Sequence, residues 1–149
     1  MKNLHKVNDF VFRCEQPDEK AIDELMALGI KSVLDLRKKN SDSSLLAGKA
    51  LQFYKVGMEA KQVTDEEIVE ALIILRDAPK PIVVHCRHGA DRTGLVMAMY
   101  RMVFQNWTKE KALGELVNGG YGFHKELANI PEYINAVNIE KIKKMLINP

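Results

Sequence analysis

Short apolar runs alternate along the chain with amphipathic stretches, and the spacing of their apolar positions predicts most of the elements. Phe10-Val11-Phe12 is brief and β-prone. Pro17 then opens a segment with Asp18 and Glu19 in its first turn and Ile22, Leu25 and Met26 on one face, stopped by Gly29. Acidic residues beside the positive end of the helix dipole favour a helix there. Lys31 to Leu36 reads as a strand, followed by the polar loop Arg37-Lys38-Lys39-Asn40-Ser41-Asp42-Ser43, a short helix over Leu45 to Leu51, and a second strand from Gln52 to Val56. Thr64 with Glu67 three residues on forms a capping box ahead of Ile68, Val69, Leu72, Ile73 and Leu75, which predicts a helix to about Ala78. Pro79 and Pro81 punctuate its end.

Ile82-Val83-Val84 is a continuous apolar run, the pattern of a strand covered on both faces. After the polar stretch His85 to Gly94, nearly every position from Leu95 to Phe104 except Arg101 is apolar or aromatic, which suits a helix buried on most sides. Thr108 caps a further helix carrying Ala112, Leu113, Leu116 and Val117 and ending at Gly119-Gly120. Pro131 opens a last helix with Ile139, Ile142 and Leu146 on one face and Lys141, Lys143 and Lys144 near its end. Strands separated by helical segments predict an α/β fold: a small, mainly parallel central sheet flanked by helices, in a single domain over residues 1–149.

Composition agrees with one ordinary core. Of 149 residues, 46% are hydrophobic, with nine Gly and five Pro, which excludes collagen-like and strongly disordered chains. Lys plus Arg exceed Asp plus Glu by 22 to 20, so the net charge of +2 makes no case for nucleic acid or an anionic membrane as a partner. No apolar run approaches the ~18 residues of a membrane span, and Met1 to Phe12 lacks the apolar core of a signal peptide. The expectation is a cytoplasmic protein if Met1 is the native start, and a periplasmic or secreted one if a leader was removed. Cys14 and Cys86 are too few for a disulfide framework.

The chemistry sits in His85-Cys86-Arg87-His88-Gly89-Ala90-Asp91-Arg92-Thr93-Gly94. A loop between a buried strand and a helix turns successive backbone N–H groups toward one spot, and the helix N-terminus adds about half a positive charge, which together attract a phosphate dianion. The same dipoles favour the thiolate of Cys86 and make it a nucleophile. Arg92, six positions on, reaches back as a bidentate fork over phosphate oxygens, which lysine could not reproduce. The Thr93 hydroxyl is placed to hydrogen-bond the Cys86 sulfur. Arg87, His88, Gly89, Ala90, Asp91, Arg92 and Thr93 are therefore the phosphate-binding residues, with Gly89 supplying a positive φ. His85, Cys86 and His88 crowd three donors into four residues with no second cluster, so no metal is implied, and covalent catalysis by a loop cysteine requires no organic cofactor.

Cys86, five residues, Arg92 and Thr93, preceded by His85, resemble the signature of the cysteine-dependent protein tyrosine phosphatase superfamily. The position of the loop past the middle of the chain, between a strand and a buried helix, is similar to the compact dual-specificity phosphatases rather than to the low-molecular-weight ones. Leu4-His5-Lys6-Val7 with Phe12-Arg13-Cys14-Glu15-Gln16-Pro17, then Val33-Leu34-Asp35-Leu36-Arg37, and Gly119-Gly120-Tyr121-Gly122-Phe123-His124 look like a bacterial branch of that group, so that the resemblance spans essentially the whole chain. Cys14 departs from that branch, which more often has serine, and inherits no role. The resemblance implies a cysteinyl-phosphate intermediate and a carboxylic acid on a separate loop that protonates the leaving oxygen. Glu59, 27 positions before Cys86, stands on the corresponding loop; Asp65, in the first turn after Thr64, and Asp91, in the phosphate loop, are the alternatives.

The implied substrate is a phosphorylated protein, carrying phosphotyrosine or phosphoserine/threonine, or a small phosphorylated metabolite such as an inositol phosphate. Arg37, Lys38, Lys39, Lys61 and Arg87 favour the metabolite if they converge on the pocket mouth. A phosphate-binding module with little turnover is the non-enzymatic alternative. Sulfur transfer by a loop cysteine is disfavoured by the spacing from Cys86 to Arg92 and Thr93.

Overall fold

The computed structural model describes residues 3–39 and 41–149. Its elements are β1 (His5–Lys6), β2 (Val11–Cys14), α1 (Glu19–Ala27), β3 (Ser32–Arg37), β4 (Gln52–Met58), α2 (Asp65–Asp77), β5 (Ile82–His85), α3 (Arg92–Phe104), α4 (Lys109–Asn118), α5 (Asn129–Ala136) and α6 (Ile139–Ile147). The sheet runs β1-β2-β5-β3-β4, with β1 antiparallel to β2 and every other pair parallel. The mainly parallel α/β sheet predicted from the strand and helix pattern is thus the fold observed. No helix among the described residues is long and apolar enough to cross a membrane.

Side-chain alternation divides the strands between two cores. Val33 and Val83 face α1, where Cys14, Ile22, Leu25, Ile30 and Leu46 complete a small cluster. Leu34, Val84 and Ile82 face the opposite side, against residues of α2, α3, α4, α5 and α6. Both faces of β5 are therefore covered, which is why its sequence is apolar without alternation. Burying each such Leu, Ile or Val stabilises the fold by about 1.5–3 kcal/mol, so the larger cluster anchors β5 and α3, the two elements that flank the cysteine loop.

The helix starts follow their capping chemistry. The Asp18 carboxylate accepts from Ala21 N at 2.8 Å, and Thr64 and Glu67 form the reciprocal box before α2. Two expected helices differ. Residues 45–51 form turns rather than a helix, because Gly48 takes φ +76° and the segment is pinned instead by burial of Leu46. The single last helix is two, because Val137 is extended and the Asn138 side chain caps α6 by accepting from Lys141 N at 3.1 Å. Strand β1 has no apolar signature and was not predicted.

The loop between β3 and β4 is tied to the sheet by buried charges. Arg37 donates from N and Nε to Asp35 Oδ1 at 2.9 and 3.0 Å, and from Nη2 to Asp35 Oδ2 at 3.0 Å and Asp42 Oδ1 at 2.7 Å. Asp42 also meets His85 Nε2, so one loop carboxylate joins β3 to β5. Burial alone would raise the Asp35 carboxyl, but hydrogen bonds from Arg37 and the nearby charges of His85 and Arg37 hold it below the ordinary value of 3.8. A carboxyl depressed in the folded state stabilises it above the unfolded value, and this contribution disappears as pH falls through the folded value. The urea midpoint of the wild type is therefore expected to be flat from about pH 7 to 5 and to fall below about pH 4. Arg37→Gln, which strands a buried carboxylate, should lose about 3–5 kcal/mol at neutral pH and show a weaker acid dependence; equal acid slopes in the two proteins would contradict this account.

Candidate active site

Cys86 follows the last residue of β5, at the carboxyl end of the sheet's central strand, where open α/β sheets bind ligands. The next four residues form the loop, Asp91 is the N-cap of α3 and Arg92 its first residue. The loop is shaped from outside. Gln16 N donates to Arg87 O at 3.1 Å, Asn3 Nδ2 to His88 O at 2.9 Å and Arg13 Nη2 to Gly89 O at 2.9 Å, while Cys86 O lies 3.2 Å from His85 Nδ1. In a planar trans peptide the carbonyl and the following N–H point opposite ways. Holding the carbonyls of residues 86 to 89 outward thus turns the amides of residues 87 to 90 inward, which is an anion-binding nest.

Gly89 is indispensable to that shape. It takes φ +73°, and a Cβ there would stand 2.5 Å from the carbonyl carbon and oxygen of Cys14. The loop lies directly on the backbone of β2. Asp91 accepts from His124 N at 2.9 Å and sits 2.6 Å from His124 Nδ1, which fastens the far side of the loop to the turn after α4.

Arg92 is half-buried and donates from Nη1 to Met58 O at 3.0 Å, which places its guanidinium at the end of β4. Glu59 follows immediately, in a tight turn closed by Gln62 N donating to Glu59 O at 3.2 Å. Arg37, Lys38, Lys39, Met58, Glu59, Arg87 and Arg92 line a cavity of about 190 Å³. Cys86 is only 2% exposed, at the base of the loop. Of the sequence-predicted cations, Arg37, Lys38, Lys39 and Arg87 reach this mouth and Lys61 does not line it. Arg37 is already neutralised by Asp35 and Asp42, and Lys38 lies 3.3 Å from the Glu59 carboxylate, an exposed pair worth at most about 1 kcal/mol.

The three candidate acids are separated by the fold. Asp65 accepts from Tyr133 Oη at 2.6 Å and pairs with Lys141 at 3.3 Å, in a different cleft between α2, α5 and α6. Asp91 is occupied by His124. Among the described residues lining the cavity, Glu59 is the carboxylate. The hydrogen bond expected from Thr93 to the Cys86 sulfur is not formed: the Thr93 hydroxyl is buried without a partner among the described residues. The side chains of Arg87 and His88 are exposed, whereas Gly89 and Ala90 are buried and contribute backbone.

Cys14 and Cys86 are both free thiols and belong to opposite cores. Burial, reinforced by the neighbouring Cys86, Asp42 and Glu15, pushes the Cys14 thiol up, so it stays protonated and packs as a small apolar residue. Asp35, Asp42 and His85 bring potential ligand atoms within 4.8 Å of one another, but the Arg37 guanidinium already engages both carboxylates.

The sequence pattern did not single out Asn3, Arg13 or Asp42. Arg13 carried a usable signal, since it is a charged residue within a short, otherwise apolar strand. It is 1% exposed, its guanidinium stacks on the Tyr121 ring at 3.7 Å, and its Nε has no partner. Its bond to Gly89 O and the stacking supply about 2 kcal/mol each, against a burial penalty of several kcal/mol for an unpaired ion.

Comparison with known proteins agrees with this geometry. A family model described as the tyrosine phosphatase family matches residues 1–148. The dual specificity protein phosphatase TpbA of Pseudomonas aeruginosa is 29% identical over 98% of this chain and 67% of its own length. An inositol diphosphatase of Arabidopsis thaliana is 25% identical over 98% of the chain and 75% of its own length. The crystal structure of TpbA superposes with a TM-score of 0.89, covering 98% of this chain and 91% of its own. The core catalytic domain of a PP-IP phosphatase from S. cerevisiae, 24% identical, shares the fold with a TM-score of 0.84 over 99% of this chain and 92% of its own. The chain, with its cysteine loop on the central strand and its arginine at the head of the following helix, belongs to the tyrosine phosphatase family and is a cysteine-dependent phosphatase.

Proposed function

We propose that Cys86 is the nucleophile and Glu59 the general acid of a phosphate-monoester hydrolase with dual-specificity chemistry. The reading is carried by one observation: Glu59 and Arg92 line the same cavity at the mouth of a loop whose carbonyls are held outward. The loop amides and the Arg92 fork bind the equatorial phosphate oxygens and stabilise the charge that spreads over them in the transition state. The Cys86 thiolate attacks phosphorus in line. The S–P bond forms as the P–O bond to the leaving group breaks, and Glu59 delivers the proton to the departing oxygen. Glu59 then takes a proton from water, which attacks phosphorus and releases inorganic phosphate and the thiolate.

Two substitutions test these roles. Cys86→Ser should abolish steady-state turnover of p-nitrophenyl phosphate while retaining phosphate binding by calorimetry, and appreciable turnover would overturn the nucleophile. Glu59→Gln should lower kcat on phosphotyrosine peptides by about 10²–10⁴-fold and leave p-nitrophenyl phosphate, whose leaving group needs little protonation, nearly unchanged. Equal rates of wild type and variant on the peptides would remove Glu59 from the mechanism. If the wild type hydrolysed neither compound, a phosphate-binding module would be the better description.

The lining of the cavity favours a second reading of the substrate. It holds several cations, and Met58 is its one apolar member among the described residues, with no aromatic wall for a phenyl ring. A small polyphosphorylated metabolite such as an inositol phosphate matches that mouth better than a phosphotyrosine side chain. The double variant Lys39→Gln with Arg87→Gln should raise KM about 30-fold for an inositol polyphosphate, the loss of two exposed ion pairs at the upper end of their range, and change KM for phosphotyrosine peptides far less. Equal effects on both substrates would favour the phosphoprotein reading.

A further inference from the structure

We propose that Arg13 is a positioning residue of the phosphate loop, which holds the Gly89 carbonyl outward and places a permanent positive charge behind Cys86. The inference rests on the proposed role of Cys86. Arg13 lies on β2, the strand paired with β5, and is buried against the outer side of the loop. Its Nη2 donates to Gly89 O at 2.9 Å, so the following amide, that of Ala90, is directed inward. A Cβ on Gly94, in the first turn of α3, would stand 3.6 Å from the same Nη2, which puts the guanidinium beside the helix start as well as the loop.

The charges around Arg13 explain why it is placed there. Among the described residues no carboxylate forms an ion pair with it, and Nε is unsatisfied. Burial lowers its pKa; Tyr121, Glu115 and Cys86 act in the opposite direction, and Arg101 adds to the lowering. Glu115 is itself paired with Arg101 at 3.0 Å and is largely neutralised. Arg37, the other guanidinium that senses the Cys86 charge, is matched by Asp35 and Asp42. Arg13 therefore holds positive charge that the resting protein does not balance. A cysteine thiolate and a phosphate dianion in the loop would balance it. The Tyr121 ring below the guanidinium, with His5 packed edge-on against it at 4.8 Å, keeps the fork in register with Gly89 O.

The test uses Arg13→Met, which removes charge and donors at similar length, and Arg13→Lys, which keeps the charge without the fork. Three quantities are measured: the thermal midpoint, the affinity for inorganic phosphate, and the rate at which iodoacetamide alkylates Cys86 at pH 6, localised by peptide mass spectrometry. Arg13→Met should remain folded, because it removes an unpaired buried charge. Its phosphate affinity should fall about 30-fold and its Cys86 alkylation about tenfold, changes of about 2 and 1.4 kcal/mol. Arg13→Lys should recover most of the alkylation rate and only part of the phosphate affinity.

A folded Arg13→Met protein with both quantities within twofold of wild type overturns the inference. Should that variant not fold, Arg13→Lys decides alone: phosphate affinity several-fold weaker with alkylation retained supports it, and phosphate affinity equal to wild type refutes it. Alkylation and phosphate binding do not depend on turnover. A wild type without Cys86-dependent hydrolysis would count against the catalytic reading and leave these two measurements interpretable.

Discussion

The outward pinning of four consecutive carbonyls, from Cys86 to Gly89, is the constraint on which the site depends. A loop that is to surround an anion with amides must face its carbonyls elsewhere, and each buried carbonyl needs a donor. Here three of the donors come from the first sixteen residues of the chain: Asn3, Arg13 and Gln16. This explains why β2 lies beside β5 and not at the edge, and why only glycine fits at position 89, pressed onto the Cys14 backbone. The N-terminal segment thus supports the loop, although none of its described side chains lines the cavity.

The charged residues near the site fall into two groups that net charge cannot distinguish. Arg37 is consumed by Asp35 and Asp42, a buried arrangement that fastens the β3–β4 loop and, through Asp42, the imidazole of His85. Arg92, Arg87 and Lys39 carry no such carboxylate partner among the described residues and face the cavity. A net charge of +2 is accordingly the wrong scale for anion binding, because the field at one mouth is set by a handful of side chains and by oriented peptide dipoles.

Much of the scaffold was legible in residue order. The apolar run Ile82-Val83-Val84, the Thr64–Glu67 box and the apolar block after Gly94 each act within a few residues, so periodicity and capping identify them directly. The failures have equally local causes. Gly48 dissolves the helix expected over Leu45 to Leu51, and Asn138 starts a new helix inside the one expected after Pro131. Strand β1 exists only through its pairing with β2, a contact that nothing in His5 or Lys6 announces.

The same distinction holds in the active site. Cys86, Arg92 and the glycine at 89 could be proposed from spacing, because a strand, a loop and a helix start are contiguous and their dipoles follow from the backbone alone, although the bond expected from Thr93 to the Cys86 sulfur is not formed among the described residues. Which carboxylate shares the cavity could not: Glu59, Asp65 and Asp91 are chemically equivalent until the fold binds Asp65 to Tyr133 and Asp91 to His124. Nor could residue order reveal that Arg13, 76 positions before Gly89, meets its carbonyl, or that Lys61 misses a mouth that Lys38 and Lys39 reach. Such facts arise from parallel strands placing distant segments side by side, and hydrogen bonds and charge act over ångströms rather than along the chain.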